Sequence, residues 1–314
     1  MLIRPSFYLI PVDGPRTINE ITRLIDLSVN RDMLVAMMPL ALDRHAMLTT
    51  YQAVIARYSD RLSDQLVRRL AVELHPDPFG IGYTTQKWLS SDVMNVFGAH
   101  LRDLWRGERG MPSVYYLSSN ARYNYINHRD ECVHRYIQSA HAAIPFSSYF
   151  YSRNQYSIKA GLEFEGDPLE RDMIINFCND RNNHWYLLVM DTRTRPMTIT
   201  HYDSGSFSTN NMEERGKYLV RFLNLFRNNA SALYQLNWQV RPHFRAEDFI
   251  VRNGESVRQG NGYDCGVFSL VNAECAVRGW DHSRLEQTTI PFMRLRLIRE
   301  IVSFLDRAGV DLFV

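Results

Sequence analysis

Apolar residues recur along the 314-residue chain first at helical spacing, then at strand spacing, then at helical spacing again. In the first 80 residues a capping-box pattern, Thr17-Ile18-Asn19-Glu20, precedes Ile21, Leu24 and Ile25 on one helical face. Two further amphipathic stretches, about 43–58 and 60–73, run up to Pro76 and Pro78. From residue 85 the texture changes. Ser90 or Ser91 is placed to cap a helix whose Val93, Phe97, Leu101 and Leu104 share a face. Residues 111–160 read as tyrosine-rich and turn-prone. Residues 173–177, 184–191 and 197–202 read as strands, the last two as a hairpin around 192–196. Helices are predicted over 212–227 (apolar side Leu219, Phe222, Leu223 and Phe226), from near Asp264, and over 288–307. Residues 241–262 read as a polar loop. Strands set between helices predict an α+β domain with helices packed on a central mixed sheet, and a helical N-terminal segment. The predicted boundary divides a helical extension, 1–80, of structural or partner-docking role from a domain over 81–314.

Composition narrows the class. With 45% hydrophobic and 22% charged residues there is material for a packed core, so wholesale disorder is excluded. The longest apolar run, 33–42, contains Pro39 and falls short of the ~18 residues a membrane span requires. No secretory signal is visible at the N-terminus, which suits an intracellular location, cytoplasm or nucleus. Cys132, Cys178, Cys265 and Cys275 form no CxxC pair and no metal-ligand spacing, so neither a disulfide framework, a metal site nor a cofactor is expected. The net charge of +2 hides an imbalance: lysine occurs only at 87, 159 and 217, leaving 36 − 3 = 33 arginines. One reading is codon drift; the other is a workplace where free lysines, the sites of ubiquitin attachment, are a liability. Arg294, Arg296 and Arg299 read either as a basic strip or as a solvated helix face, and no nucleic-acid partner is expected.

The chemistry concentrates at Gln259-Gly-Asn-Gly-Tyr-Asp-Cys265-Gly266, a glycine-rich turn that enters an apolar helix. A thiol at a helix N-terminus sees partial positive charge and unpaired N–H groups, conditions that favour a reactive thiolate. A nucleophilic cysteine needs a base, and the base needs an orienting group. Among ten histidines, His184 opens a strand directly after a polar turn, and Asp203 follows 203 − 184 = 19 residues later at the end of the paired strand. The hairpin would bring the two together, with the Asp203 carboxylate accepting the imidazole Nδ1–H. Asp191, at the turn end of the hairpin, is too far away. Gln259, 265 − 259 = 6 residues before the cysteine, is placed to supply an oxyanion donor beside the Cys265 N–H.

This combination, His184-Trp185, Tyr202-Asp203-Ser204 and Gln259-x-Asn-Gly-Tyr-Asp-Cys265-Gly266, resembles the Ulp/SENP family of ubiquitin-like-protein proteases (clan CE), bacterial effectors among them. Trp88-Leu-Ser-Ser-Asp92-Val-Met-Asn95, Ser148-Tyr-Phe-Tyr-Ser152 and Arg171-Asp-Met-Ile-Ile175 are similar to further segments of that family, and the likeness covers about 85–280. The resemblance implies a permuted papain-like core with His184 as base, Asp203 as orienter, Cys265 as nucleophile and Gln259 at the oxyanion hole. It also implies a clamp of Trp88 and Trp185 on the Gly-Gly tail of the modifier, with Asp92 and Gly266 as further substrate-binding residues. Two departures bear on which modifier is bound. Ser91 stands where family members carry an acidic residue, and the interval 265 − 203 = 62 is long enough to suggest an inserted surface element.

The resulting expectation is a cysteine isopeptidase that cleaves after the C-terminal Gly-Gly of SUMO, ubiquitin or a relative, acting on that modifier and its conjugates. The lysine depletion would suit a microbial effector delivered into a host cell. Two alternatives stay open: an acetyltransferase of the YopJ type using the same triad, and a catalytically silent module that binds the modifier.

Overall fold

The computed structural model describes residues 73–74, 88–107, 110–128, 167–180, 183–205, 211–234, 245–282 and 285–307. The helices expected within 17–73, and the motif 148–152, lie outside these residues. The described residues divide into two compact units, one over 89–282 and one holding the residues up to 88 and from 283.

The first unit is an α+β layer structure. In chain order it comprises α1 (Ser91–Gly107), β1 (Val114–Leu117), α2 (Asn120–His128), β2 (Met173–Asp180), β3 (His184–Asp191), β4 (Met197–Tyr202), α3 (Met212–Tyr234), β5 (Phe249–Asn253) and α4 (Cys265–Arg278). The five strands form one mixed sheet in the order β1-β2-β3-β4-β5. β1 runs parallel to β2, β2–β3 and β3–β4 are antiparallel, and β4–β5 is parallel. The parallel β4–β5 pair is connected through α3, as a crossover requires.

Strands β2 and β3 are apolar almost throughout because both faces of the sheet are covered. On one face Tyr186, Leu188 and Met190 of β3 pack with Leu219, Phe222, Leu223 and Phe226 of α3. These four are the apolar side predicted from helical spacing. On the other face α4 packs on β3, and α1 packs on β1 and β2. α4 is buried on nearly all sides, from Cys265 through Cys275 and again at Val277, so its amphipathicity is weak and its length is set by the core.

Two stretches depart from the sequence expectation. The turn-prone segment from 111 contains β1 and α2, and the polar loop 241–262 contains β5. Both strands are short, and β5, with half-buried Phe249 and Val251 beside exposed Ile250, Arg252 and Asn253, carries little of the apolar signal that marks a strand. α1 begins as its Ser90 cap predicts, with Ser90 Oγ accepting from Val93 N at 3.5 Å.

The second unit contains α5 (Ile290–Arg307). Here the arginine expectation is corrected: Arg294 and Arg296 are both buried, neither a basic strip nor a solvated face. Arg294 donates to the Glu73 carbonyl, so the guanidinium serves the interior of that unit. No helix among the described residues is long and apolar enough to cross a membrane.

Candidate active site

Three element ends meet at one place. His184 is the first residue of β3, Asp203 directly follows the last residue of β4, and Cys265 is the first residue of α4. The β3–β4 register, with Leu187 opposite Tyr202 and Asp191 opposite Thr198, carries the start of one strand to the end of the other. His184 and Asp203 are accordingly in contact, with Nε2 and Oδ1 2.7 Å apart. This corrects the expected ring nitrogen. Nε2 rather than Nδ1 faces the carboxylate, because the ring reaches Asp203 with its far edge. Asp191 is engaged elsewhere, paired with Arg193 at the hairpin turn.

The Cys265 thiol is 1% exposed. Its Sγ accepts the Trp185 backbone N–H at 3.4 Å and lies within hydrogen-bonding reach of the His184 imidazole. With Nε2 given to Asp203, Nδ1 is the nitrogen left for the thiol. Burial works against a charge on His184, but hydrogen bonds to Asp203 and Cys265 and their negative charge prevail, raising the imidazolium to about 9. Burial also works against the Asp203 carboxylate. Its bonds to His184, Arg215 and the Gly205 N–H outweigh burial and hold it below the usual carboxylate range. The pair therefore sits as imidazolium and carboxylate beside the Cys265 sulfur, an arrangement fitted to nucleophilic attack on a carbonyl followed by proton donation to the leaving group.

Gln259 is held at the same end of the sheet. Its backbone N–H donates to the Ser204 carbonyl at 2.8 Å, and its Oε1 accepts from Ser204 Oγ at 2.8 Å. The amide Nε2 donates to the Asn261 carbonyl at 2.5 Å. Asn261 in turn shapes the turn into α4, accepting through Oδ1 from the N–H groups of Tyr263 and Asp264 at 3.1 and 3.0 Å.

Trp185 is buried, with its indole N–H donating to the Leu89 carbonyl at 2.8 Å. Gly266 lies against Leu89: a Cβ added there would stand 3.0 Å from that side chain, which would have to give by a few tenths of an ångström. Trp88 is half-buried and belongs to the other unit. Asp92 falls in the first turn of α1, and its side chain lies outside the described set.

Two residues at the site escape sequence reading. Gly205 passes so near the pair that a Cβ there would stand 2.7 Å from His184 Cε1 and 3.2 Å from Asp203 Oδ1. Arg215 of α3 donates to Asp203 Oδ2 at 2.7 Å. Its signal was present, since 215, 219, 222 and 226 fall at helical spacing and place a guanidinium on the apolar side of α3. Among the described residues no group of histidine, cysteine and acidic side chains is set to hold a metal ion, and Cys178, Cys265 and Cys275 are free thiols.

Residues 87–307 match the family model described as the Ulp1 protease family, C-terminal catalytic domain. Among solved structures, the C-terminal Ulp1 protease domain in complex with Smt3, the yeast ortholog of SUMO, is similar at 17% identity. That match covers 83% of this chain and 96% of that one, with a TM-score of 0.52. The SUMO protease Ulp1 with its catalytic cysteine oxidised to a sulfonic acid aligns over the same shares at 17% identity and a TM-score of 0.51. The Xanthomonas campestris effector XopD bound to ubiquitin is a more distant likeness: 19% identity, 68% of this chain and 90% of that one, TM-score 0.39. No curated protein sequence matches the chain.

Proposed function

The chain belongs to the Ulp1 protease family and is a cysteine peptidase, and from that premise we propose that it is an isopeptidase cleaving after the C-terminal Gly-Gly of SUMO, ubiquitin or a related modifier. The observation that carries the reading is the meeting of His184, Asp203 and Cys265 at three element ends, with the His184–Asp203 contact at 2.7 Å. Cys265 is the nucleophile. The sulfhydryl proton resides on His184, and the resulting Cys265 thiolate attacks the terminal glycine carbonyl. The C–N bond breaks as the lysine amine takes that proton from the imidazolium, leaving a thioester. Water that gives its proton to the now neutral His184 then releases the modifier carboxylate and restores the sulfur. Asp203 keeps the imidazole oriented. The Cys265 N–H and Gln259 Nε2 serve the oxyanion, the latter after leaving the Asn261 carbonyl.

The modifier itself, and conjugates carrying it, are the partners this reading requires, because only glycine is thin enough to pass between two indole faces. Trp88, Trp185, Gly266 and Asp92 are the residues assigned to substrate binding in this reading. The scarcity of lysine, three residues against 33 arginines (36 − 3), favours an effector that works in a host cell among the ligases that attach such modifiers. Residues 1–80 have a structural or partner-docking role in this reading.

The test is covalent labelling with C-terminal electrophile derivatives of SUMO and of ubiquitin. The native chain should form an adduct with at least one, and Cys265→Ala with none. Full labelling of the alanine variant would overturn the assignment of the nucleophile, and acetylation of Cys265 by acetyl-CoA would favour a transferase instead.

A further inference from the structure

Arg215 is a guanidinium inside the protein, 5% exposed, and it makes an unusual set of contacts. One terminal nitrogen reaches Asp203 Oδ2 at 2.7 Å and His201 Nε2 at 2.9 Å. The other reaches Asp180 Oδ2 at 3.2 Å. The guanidinium carbon lies 3.9 Å from the centre of the Tyr186 ring, stacked where water is excluded. Asp180 is the β2 partner of His184 in the sheet register, so the cation ties together the two strands that flank the base.

The Asp203 carboxylate has two oxygens with separate duties. Oδ1 accepts from His184 Nε2 and, at 2.9 Å, from the Gly205 N–H. Oδ2 has the arginine. A carboxylate bonded through Oδ1 alone is free to turn about its last torsion, and a buried one that loses one of two cationic partners takes up a proton more readily. Protonated, it would become a donor and lose its hold on the imidazole tautomer. Lysine could not replace this contact set, because one ammonium lacks the planar fork that spans Asp203, His201 and Asp180 together.

We propose that Arg215 is a positioning residue of the peptidase site: through Oδ2 it fixes the Asp203 carboxylate in the orientation that presents Oδ1 to His184, and it keeps that group a carboxylate. This rests on the triad reading above. The groups facing the cation are Asp203 and His201 at the end of β4, Asp180 on β2, Tyr186 on β3, and Arg122 of α2, which shares Asp180. The Cys178 thiol is close enough to feel its charge, but burial pushes that thiol up to about 11, so it stays neutral through the working range. His201, its acceptor, is held neutral by burial and by the arginine itself, at about 4.

The experiment compares the full chain with Arg215→Met and Arg215→Lys. Competent sites are first counted with whichever modifier electrophile labels the native chain. Turnover per labelled site on a Gly-Gly-linked fluorogenic modifier is then followed from about pH 3 to about pH 10. Arg215→Met should lose on the order of 10²-fold in kcat with KM little changed. Its acid limb should move up by about one pH unit or more, because Asp203 loses the nearby cation. Arg215→Lys should return the acid limb to its native place while recovering only part of kcat. An unshifted acid limb in the methionine variant, or native turnover per labelled site in both variants, would overturn the proposal. If the methionine variant yields no folded protein, the lysine variant decides: a native kcat per site refutes, and a lowered kcat with a native limb supports. Absence of labelling in the native chain would instead refute the peptidase reading, so the two failures are distinguishable.

Discussion

Gly205→Ala is the most economical probe of the site, because it adds one methyl group beside the histidine and removes no partner. The new Cβ would stand 2.7 Å from His184 Cε1, 3.1 Å from Nε2 and 3.2 Å from Asp203 Oδ1. Ordinary carbon–carbon contact begins near ~3.4 Å, so the imidazole must retreat by roughly 0.7 Å, or the 203–205 turn must move with it. His184 cannot swing away from the carboxylate without breaking a 2.7 Å contact, and its strand is locked on both sides by β2 and β4. The displacement therefore falls on the gap between imidazole and thiol, where a misplacement of about 1 Å costs on the order of 10²-fold in rate. The expected result is a fall in kcat of ~10- to 10²-fold with KM within about twofold, since the nearest neighbours of the added methyl are His184 and Asp203. Stopped-flow cleavage of a Gly-Gly-linked fluorogenic modifier, normalised to electrophile-labelled sites, measures it. Unfolding midpoints in urea show whether the protein itself has suffered. A folded Gly205→Ala enzyme with native kcat would refute the claim that the backbone at 205 limits the His184 position.

Two further predictions follow from the electrostatics. The His184 imidazolium is raised to about 9, so its contribution to stability is complete below the unfolded value of ~6.5 and is lost as the pH rises through 9. His201 is lowered to about 4, so stability falls instead as the pH drops from ~6.5 towards 4. Urea midpoints should accordingly peak near pH ~6.5, and kcat/KM should decline on an alkaline limb near 9 that moves down in Asp203→Asn; a flat midpoint profile would contradict both shifts. In Arg227→Met the buried Asp167 carboxylate, now held by Arg227 Nε to both oxygens at 3.1 Å, is left without its cation. That should cost about 3–5 kcal/mol by urea unfolding while leaving turnover per labelled site unchanged.

How much of this was legible in the sequence depends on what each residue does. β3, β4, α3 and α4 announce themselves because they form the core: burial on both sides gives the near-continuous apolar runs of β3 and α4, and burial on one side gives α3 its helical spacing. His184, Asp203 and Cys265 were legible because each marks the end of such an element, so their meeting follows from the hairpin and the helix start. β1 and β5 were not, being four and five residues long and recognisable only by their hydrogen-bonded neighbours. The choice of Nε2 over Nδ1 depends on side-chain torsions that no spacing encodes. Arg215 was readable in principle from its place on the apolar side of α3, but 33 arginines gave no reason to single it out. Gly205 is defined by an approach of 2.7 Å, a property of the folded chain and of nothing in its neighbours along the sequence.

The element-end construction also sets where the gene can vary in length. Within β3 and β4 every residue is counted, because the strand register positions His184 against Asp203 and a single residue inserted in either strand would turn every following side chain of it to the opposite face. Between Asp203 and Cys265 no such count applies: α3 and β5 are docked on the sheet by their own packing, and segments joining docked elements can lengthen at small entropic cost. Insertions and deletions should therefore accumulate in 206–210 and 235–244 and be purged from β3 and β4. Lineages of this enzyme would then differ in the reach and decoration of those segments while inheriting an unaltered centre, so specificity can diversify without re-evolving the chemistry.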